Sequence, residues 1–327
     1  MKKKAAPGMV GLPVGTWLAL PDQWHDAVAR LLKYVLATGE WPKEAMEAYV
    51  SLIPKGAGTD VASQRPITVL ELLYRIFATG VVRAWGPVLQ GEHLGEQAMG
   101  FRAGSGTRHI SQLLVDLVAL GRKQGKEVWL VKFDVKKCYD SIPWWALFGV
   151  MEKSGISRRT IRAFKRFYEG LSRRLRFGSV DGKPWKGTNG MAQGCPAAPD
   201  MLNILFEPFH RWAAAQGRGF SVLVGEQVSS GSFADDVVLV AGSKEDAEFL
   251  IAGYLKWCEL LHLTVDPKKT QAWCSTQKKG EQVKVGNEMV DLSENFKFVG
   301  IVVAAKTEAE ATKLREGGRK PRCRSRR

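Results

Sequence analysis

The chain has 327 residues, of which 45% are hydrophobic and 25% are charged, a composition typical of soluble globular proteins with one or two domains. No apolar run approaches the roughly 18 residues of a membrane span, and no secretory signal opens the chain. Five widely spaced cysteines without a Cys-x-x-Cys pair argue against disulfides and a structural zinc site. We therefore expect an intracellular protein, nuclear or cytoplasmic, with no membrane partner.

The first part of the chain alternates patterns typical of helices and strands. The predicted elements before position 100 are a helix at 23–37, a helix at 43–49, a strand at 50–53 and a strand at 65–69. Between positions 110 and 120, apolar residues recur at helical spacing, which predicts an amphipathic helix that begins at Ser105 or Thr107.

A strand that ends in a carboxylate is predicted next. Residues 127–134 are rich in β-branched and aromatic residues, as expected for a buried strand, and the last of them is Asp134. The later predicted elements are helices at 202–215 and 244–261 and strand-like segments at 284–285 and 296–303. This order of strands and helices predicts an α+β fold.

The net charge of +15 is concentrated in a few segments. Residues 158–176 carry eight basic residues against the single acid Glu169, and apolar residues from Ile161 to Leu175 recur every three or four positions. This pattern predicts a helix whose apolar stripe faces the core and whose basic stripe binds phosphates, although a merely solvated face is the alternative. The basic residues are Arg158, Arg159, Arg162, Lys165, Arg166, Arg173, Arg174 and Arg176.

Two adjacent carboxylates, Asp235 and Asp236, lie at a predicted tight turn between strand-like residues 228–232 and 237–240. Like charges about 4 Å apart repel by about 1 kcal/mol in water and about 4 kcal/mol at an effective dielectric near 20. An ordinary turn is the alternative, because aspartate favours turns for local reasons. Together with Asp134 at a strand end, however, the pair predicts a site for two divalent ions of the kind used in phosphoryl transfer.

Several short motifs occur in order along the chain. They are 51–55 (SLIPK), 64–67 (QRPI), 73–76 (LYRI), 100–107 (GFRAGSGT), 134–140 (DVKKCYD), 190–199 (GMAQGCPAAP), 233–236 (FADD), 263–270 (LTVDPKKT) and 296–300 (FKFVG). With these motifs in this order, the chain resembles the polymerase domain of reverse transcriptases from non-LTR retrotransposons and group II introns. The resemblance runs from about position 24 to 300.

The resemblance implies a right-hand polymerase fold. It has fingers and a palm, with an antiparallel palm sheet packed on helices, and we expect the thumb to be largely missing. The implied divisions are an N-terminal extension at 1–22, fingers at 23–125, a palm at 126–304 with a fingers-type helical insertion at about 143–190, and a basic disordered tail at 305–327. Ala197, Ala198, Cys138 and Phe233 depart from the family's usual residues, but none of these changes removes a metal ligand.

The resemblance also implies roles for individual residues. Asp134, Asp235 and Asp236 would be the catalytic residues that bind two Mg²⁺ ions, with Mn²⁺ as a possible substitute. The residues implied for substrate binding are Lys55 and Arg65 near the triphosphate, Tyr139 beside the sugar, Gln193 and Gly194 below the templating base, and Lys269 near the pyrophosphate.

The implied activity is template-directed DNA synthesis by a retroelement enzyme. Its partners would be an RNA template, a DNA primer and dNTPs; no protein partner is indicated. Two alternatives stay open: an RNA-directed RNA polymerase, and a catalytically impaired retroelement fragment that only binds nucleic acid. Tyr139 argues against the first, because RNA polymerases usually meet the 2′-hydroxyl with polar side chains.

Overall fold

The computed structural model describes residues 5–54, 64–102, 104–276 and 280–304. These residues form two compact units, each assembled from segments that are separate in sequence. The first unit is formed by described residues within Met1–Phe101, Val135–Pro208 and Cys258–Thr264, and the second by those within Arg102–Asp134, Phe209–Trp257 and Val265–Arg327. Lys55 and the predicted tail at 305–327 lie outside the described residues.

Helices contribute to both units. The α-helices are α1 (Val14–Leu18), α2 (Asp22–Thr38), α3 (Leu72–Val88), α4 (Thr107–Gln124), α5 (Cys138–Ser141), α6 (Trp144–Lys153), α7 (Arg158–Gly170), α8 (Ala198–Ala215) and α9 (Lys244–Leu260). Gly39 and Gly125 end α2 and α4 in the left-handed conformation, which glycine adopts without a steric penalty. Among the described residues, no helix is both long and apolar enough to cross a membrane.

Strands contribute to both units. They are β1 (Glu47–Pro54), β2 (Gln64–Leu70), β3 (Trp129–Lys132), β4 (Ser172–Phe177), β5 (Val180–Asp181), β6 (Trp185–Lys186), β7 (Phe220–Leu223), β8 (Glu226–Val228), β9 (Ser230–Phe233), β10 (Asp236–Ala241), β11 (Gln271–Cys274), β12 (Gln282–Val285), β13 (Glu288–Asp291), β14 (Asn295–Phe298) and β15 (Ile301–Ala304). Short 3₁₀-helical turns lie at Lys43–Met46 and Pro267–Lys269, and a short π-helical turn lies at Leu89–His93.

The first unit contains a mixed sheet and an aromatic core. Its strand order is β2–β1–β4–β5, with β6 also paired to β4; β1 runs antiparallel to β2 and parallel to β4. In the core, the Tyr74 ring stacks on Phe167 with centroids 3.5 Å apart, and the Trp41 indole N–H donates to the Ala163 carbonyl at 2.8 Å. This packing fixes α3 and α7 within the unit.

The second unit contains a four-stranded antiparallel sheet in the order β11–β3–β10–β9. Trp129 on β3 and Trp273 on β11 are fully buried, and the Phe133 ring lies 4.4 Å from that of Tyr254. Because β3 lies between two neighbours and is buried, it is a rigid base for the residues at its carboxyl end.

Two predicted helices are wrong in part. Residues 43–49 form a single turn only to Met46, and β1 begins at Glu47 because it pairs with β2 along its whole length. The predicted basic helix at 158–176 ends at Gly170, and its last residues form β4, which pairs with β1. The segment predicted as strand-like at 296–303 forms two antiparallel strands, β14 and β15, with a turn at 299–300. The other predicted helices and strands are confirmed, with ends shifted by a few residues.

Candidate active site

Asp134 lies just beyond the carboxyl end of β3 in the second unit. The Phe133 N–H donates to the Val237 carbonyl at 3.4 Å, so the pairing between β3 and β10 continues past the strand itself. Following that register by one more residue places Asp134 opposite Asp236. The Asp134 carbonyl also accepts a hydrogen bond from the Asp266 N–H at 3.0 Å, which ties this strand end to the loop before β11.

The second element of the site is the hairpin between β9 and β10. Phe233 pairs with Asp236, so Ala234 and Asp235 form a two-residue turn. Ala234 has φ of 58°, a left-handed conformation that costs a residue with a Cβ about 1–2 kcal/mol. Backbone strain of this kind concentrates at functional sites. The turn therefore holds Asp235 and Asp236 next to each other at an energetic cost.

Desolvation and neighbouring negative charges both affect the pKa of a carboxyl group in this hairpin. The pKa of Asp236 is raised, first by desolvation and then by the charges of Asp235 and Asp134, while Lys132 opposes the shift. Desolvation is the largest cause of the shift, and the neighbouring carboxylates add to it, although the Asp236 carboxyl group still reaches solvent. Such a site favours a bound cation.

Lys269 provides a cation from the chain itself. Its ammonium lies 3.1 Å from Oδ2 of Asp134, and this hydrogen bond raises the lysine pKa. Lys269 belongs to the short helical turn Pro267–Lys269, whose preceding residue, Asp266, accepts a hydrogen bond from the Lys268 N–H. The predicted site residue Lys269 is therefore in direct contact with the predicted metal ligand Asp134.

The donor chemistry of this site fits a hard divalent ion, although its side chains are not gathered around one point. Within the described ranges, no three His, Cys, Asp or Glu side chains are arranged to hold a metal ion. Asp134, Asp235 and Asp236 nevertheless offer only oxygen donors, which Mg²⁺ prefers, and desolvation together with the charges of the other two carboxylates shifts the pKa of Asp236 upward. The residues present are therefore compatible with magnesium. The ammonium of Lys269 offsets part of the negative charge of Asp134.

A buried histidine that the sequence analysis missed holds the strand leading into the Asp235–Asp236 turn. His210 on α8 is fully buried; its Nδ1 lies 2.9 Å from Ser230 Oγ, and its Nε2 lies 2.9 Å from Ser232 Oγ. Both serines are on β9 and face the same side, because they are two residues apart. The alternating serines before the turn are visible in the sequence, but nothing there connects them to position 210.

This histidine predicts an acid-sensitive stability. Burial lowers the pKa of His210 to about 4, against about 6.5 in an unfolded chain. As the pH falls from 6.5 to 4, the unfolded state binds the proton first, so the native state should lose up to about 3 kcal/mol. Urea unfolding of wild type and His210→Gln at pH 7 and pH 4.5 measures the difference.

The comparison between the two proteins isolates this histidine. Burial raises the pKa of Asp200 to about 6, so its contribution favours the native state as the pH falls, and this opposing effect is present in both proteins. Lowering the pH from 7 to 4.5 should therefore destabilise wild type relative to His210→Gln, by up to about 3 kcal/mol, because only the wild type carries the histidine. Equal pH dependence in both proteins would contradict the assignment.

In the first unit, the structure brings together several of the predicted substrate-binding residues. The Thr68 N–H on β2 donates to the Gln193 carbonyl at 2.7 Å. Gly194 has φ of 121°, and a Cβ built there would lie 2.5 Å from the Thr68 carbonyl oxygen. Glycine at position 194 therefore allows the loop to lie directly against β2, the strand that carries Arg65.

Tyr139 lies beside the same loop. Its carbonyl accepts a hydrogen bond from the Met191 N–H at 2.6 Å, and the Gly190 N–H donates to the Ile142 carbonyl at 2.8 Å. Arg65 is exposed on β2, opposite Ile53. Tyr139, Gln193 and Gly194 are thus connected through backbone contacts, and Arg65 is three residues from the contact at Thr68.

The eight predicted phosphate-binding residues fall on two elements. Arg158, Arg159, Arg162, Lys165 and Arg166 are exposed on α7, whereas Arg173, Arg174 and Arg176 are half-buried on β4. Some contact the protein: Arg158 pairs with Glu152 at 2.6 Å, and Arg162 donates to the Ala37 carbonyl at 2.6 Å. The basic surface is therefore a helix face followed by a strand, rather than one helical stripe.

Comparison with known proteins identifies a family. The model for "Reverse transcriptase (RNA-dependent DNA polymerase)" matches residues 53–303. The Retrovirus-related Pol polyprotein from type-1 retrotransposable element R2 of Nasonia vitripennis is 22% identical over 319 residues, which is 92% of this chain and 30% of that protein. The Transposon TX1 uncharacterized 149 kDa protein of Xenopus laevis is 24% identical over 76% of this chain and 19% of that protein. The chain thus spans less than a third of either relative.

Similar folds occur among solved structures. Apo telomerase from Candida Tropicalis, truncated from its C-terminal domain, gives a TM-score of 0.56 at 16% identity over 87% of this chain and 59% of that chain. The telomerase from this species in complex with a TWJ fragment of telomeric RNA gives 0.56 at 15% identity over 86% of this chain and 47% of that chain. The similarity is one of fold, and it confirms the predicted α+β polymerase architecture.

Proposed function

The chain belongs to the reverse transcriptase family, and from this premise we propose that it is an RNA-directed DNA polymerase encoded by a retroelement. It extends a DNA primer with dNTPs on an RNA or DNA template. The observation that carries the proposal is the carboxylate hairpin of Asp235 and Asp236 beside the strand end of Asp134, within a family match that covers residues 53–303.

Members of this family generally use divalent metal ions. In this chain, Asp134, Asp235 and Asp236 would hold two Mg²⁺ ions, and Mn²⁺ could replace them. Bound ions of this kind lower the pKa of the attacking hydroxyl and neutralise charge on the phosphates. The raised pKa of Asp236 supports the proposal, because desolvation and the charges of Asp235 and Asp134 disfavour its ionised form, which a bound cation would favour.

Other residues of the chain position the substrates. The exposed guanidinium of Arg65 can contact two phosphate oxygens of the incoming dNTP at once, and Lys55 would assist it. Gln193 and Gly194 would support the templating base from the loop held against β2. Lys269, already a hydrogen-bond donor to Asp134, would supply a proton or a positive charge to the departing pyrophosphate.

The basic residues of α7 and β4 would bind the nucleic-acid backbone. The five basic residues on α7 are exposed, whereas the three on β4 are half-buried. Cationic side chains contact phosphates without reading sequence, and such binding weakens steeply with salt. We also propose that the fingers span residues 23–125 and the palm residues 126–304. The nucleic-acid partners proposed are the template and the primer.

Primer extension tests this function against its alternatives. A labelled DNA primer on an RNA template is incubated with dNTPs or rNTPs, with and without Mg²⁺. DNA synthesis that requires the metal supports the proposal. Efficient synthesis only with rNTPs would indicate an RNA polymerase, whereas template binding without extension would indicate a protein that only binds nucleic acid.

Tyr139 gives a prediction about sugar choice. The tyrosine is half-buried beside the 190–194 loop, where the family places a bulky side chain against the position of a ribose 2′-hydroxyl. Because this exclusion is steric, Tyr139→Ala should raise the ratio of rNTP to dNTP incorporation at least about tenfold. Single-nucleotide incorporation kinetics with each substrate measure the ratio.

The matched control is Tyr34→Ala, which removes an exposed tyrosine from α2 in the same unit. Its ratio should stay at the wild-type value. A Tyr139→Ala enzyme that keeps the parental ratio would show that this side chain does not exclude ribonucleotides.

A further inference from the structure

The hairpin formed by β4 and β5 exposes apolar residues, whereas an ordinary surface strand exposes polar ones. Along β4, Leu175 and Phe177 are exposed, whereas the neighbouring Arg174 and Arg176 are half-buried. A strand with one solvated face normally turns its polar residues to water and its apolar residues inward. The reversed alternation indicates an apolar face that meets something other than water.

Strand pairing places four exposed apolar side chains on this face. Phe177 pairs with Val180, and Arg173 pairs with Trp185, so each pair shares one side of the sheet. Residues 173, 175 and 177 share that side too, because side chains alternate along a strand. The exposed fractions are 38% for Leu175, 78% for Phe177, 68% for Val180 and 43% for Trp185. We call these four residues the hairpin face.

The opposite side of the hairpin is anchored. The Arg176 guanidinium donates two hydrogen bonds to Asp181, at 2.6 and 2.8 Å, and lies 4.1 Å from the centre of the Tyr49 ring. Because a planar bidentate pair and a ring contact act together, this side of β4 is fixed. The hairpin face is therefore presented by a held strand rather than by a frayed end.

The charge around the hairpin face indicates which partner it fits. Residues 172–188 contain five basic residues, Arg173, Arg174, Arg176, Lys183 and Lys186, against one acid, Asp181, which is already paired with Arg176. Lys183 and Lys186 are exposed at the rim. Protein interfaces are depleted of lysine, whereas exposed aromatic rings among lysines and arginines are typical of surfaces that bind single-stranded nucleic acid.

We propose that the hairpin face binds single-stranded nucleic acid, with bases stacked on Phe177 and Trp185 and phosphates near Lys183 and Lys186. Trp185 lies opposite Arg173, four residues along β4 from Phe177, which corresponds to about 13 Å at the rise of a strand. Two rings contact each other at about 4.5–7 Å, so these rings lie too far apart to stack together and leave room for bases. The inference rests on the proposed function only in taking nucleic acid as the partner.

Stacking can be separated from phosphate binding with two oligonucleotides of equal charge. One is a twenty-residue oligothymidylate, and the other has the same backbone with abasic sites throughout. Their binding to the full chain is measured by fluorescence anisotropy at low salt. The double variant Phe177→Ala/Trp185→Ala should bind the oligothymidylate at least about 25-fold more weakly, since each stacked base contributes about 5- to 150-fold.

The abasic oligonucleotide should bind wild type and the double variant within about twofold, which also shows that the variant is folded. Trp185→Phe, which keeps a ring, should recover most of the affinity lost in Trp185→Ala. The matched control is Trp24→Ala/Trp145→Ala, which removes two other exposed rings of the same unit and should leave both affinities unchanged.

Equal losses on both oligonucleotides, or no loss on the oligothymidylate, would overturn the inference; the second result would leave the hairpin face to a protein partner. The test also distinguishes this inference from the proposed function. If binding depends on the bases but the chain never extends primers, the inference holds and the proposed polymerase activity is wrong. If the chain extends primers but the double variant binds the oligothymidylate as wild type does, the proposed activity holds and the inference is wrong.

Discussion

Asp235→Asn should reduce primer extension by about a thousandfold while leaving duplex binding close to wild type. Asparagine keeps the size of the side chain and one oxygen, but it removes the charge that a divalent ion requires. Metal stabilisation of phosphoryl transfer is worth several kcal/mol, and each 1.36 kcal/mol changes the rate tenfold. Single-turnover extension and duplex affinity, measured on the same preparation, separate catalysis from binding.

The control for this change is Asp116→Asn on α4. Asp116 is exposed and accepts a hydrogen bond from Gln112 at 2.7 Å, an interaction that the asparagine carbonyl can keep. Its extension rate should equal that of wild type. An Asp235→Asn enzyme with the parental rate would remove Asp235 from the catalytic site, and a parallel loss of duplex binding would mean that the hairpin is structural.

Gly194→Ala should lower both stability and activity. A Cβ at this position would lie 2.5 Å from the Thr68 carbonyl oxygen, a backbone atom that cannot move without shifting β2, and φ of 121° adds strain. Strain and overpacking together should cost about 2–5 kcal/mol of unfolding free energy. A displacement of about 1 Å at substrate-positioning residues can cost about a hundredfold in rate.

The matched variant is Gly217→Ala. Gly217 also has a positive φ, of 64°, but nothing lies within 4 Å of a Cβ built there, so this variant carries strain without a clash. It should lose about 1 kcal/mol and keep its extension rate. If the two variants behave alike in urea unfolding and in dNTP incorporation, the contact between the 190–194 loop and β2 has no role in positioning substrates.

Several parts of this protein follow from local sequence. Gly39 and Gly125 end their helices because only glycine adopts the left-handed conformation there at no steric cost. Ser157 caps α7 by accepting a hydrogen bond from the Thr160 N–H. The turn that carries Asp235 and Asp236 was equally predictable, since its two strand-like flanks and its short loop are neighbours in the chain.

Tertiary structure decided the elements whose partners are distant in sequence. Helical periodicity in residues 158–176 predicted a single helix, yet β4 forms because its residues pair in parallel with β1, more than a hundred positions earlier. Pairing with a strand overrides the weak local preference of the segment. The same cause converts residues 47–49 from a predicted helix into the start of β1.

The residues of the candidate site also divide into those predicted from local sequence and those whose contacts only the tertiary structure reveals. The prediction of Asp134, Asp235 and Asp236 as site residues came from the sequence alone, because these carboxylates lie in short ordered motifs. It contained no sign that His210 binds Ser230 and Ser232, or that Lys269 contacts Asp134 across 135 positions. Local patterns determine which chemistry the chain carries, whereas side-chain contacts between distant segments depend on a fold that no single segment encodes.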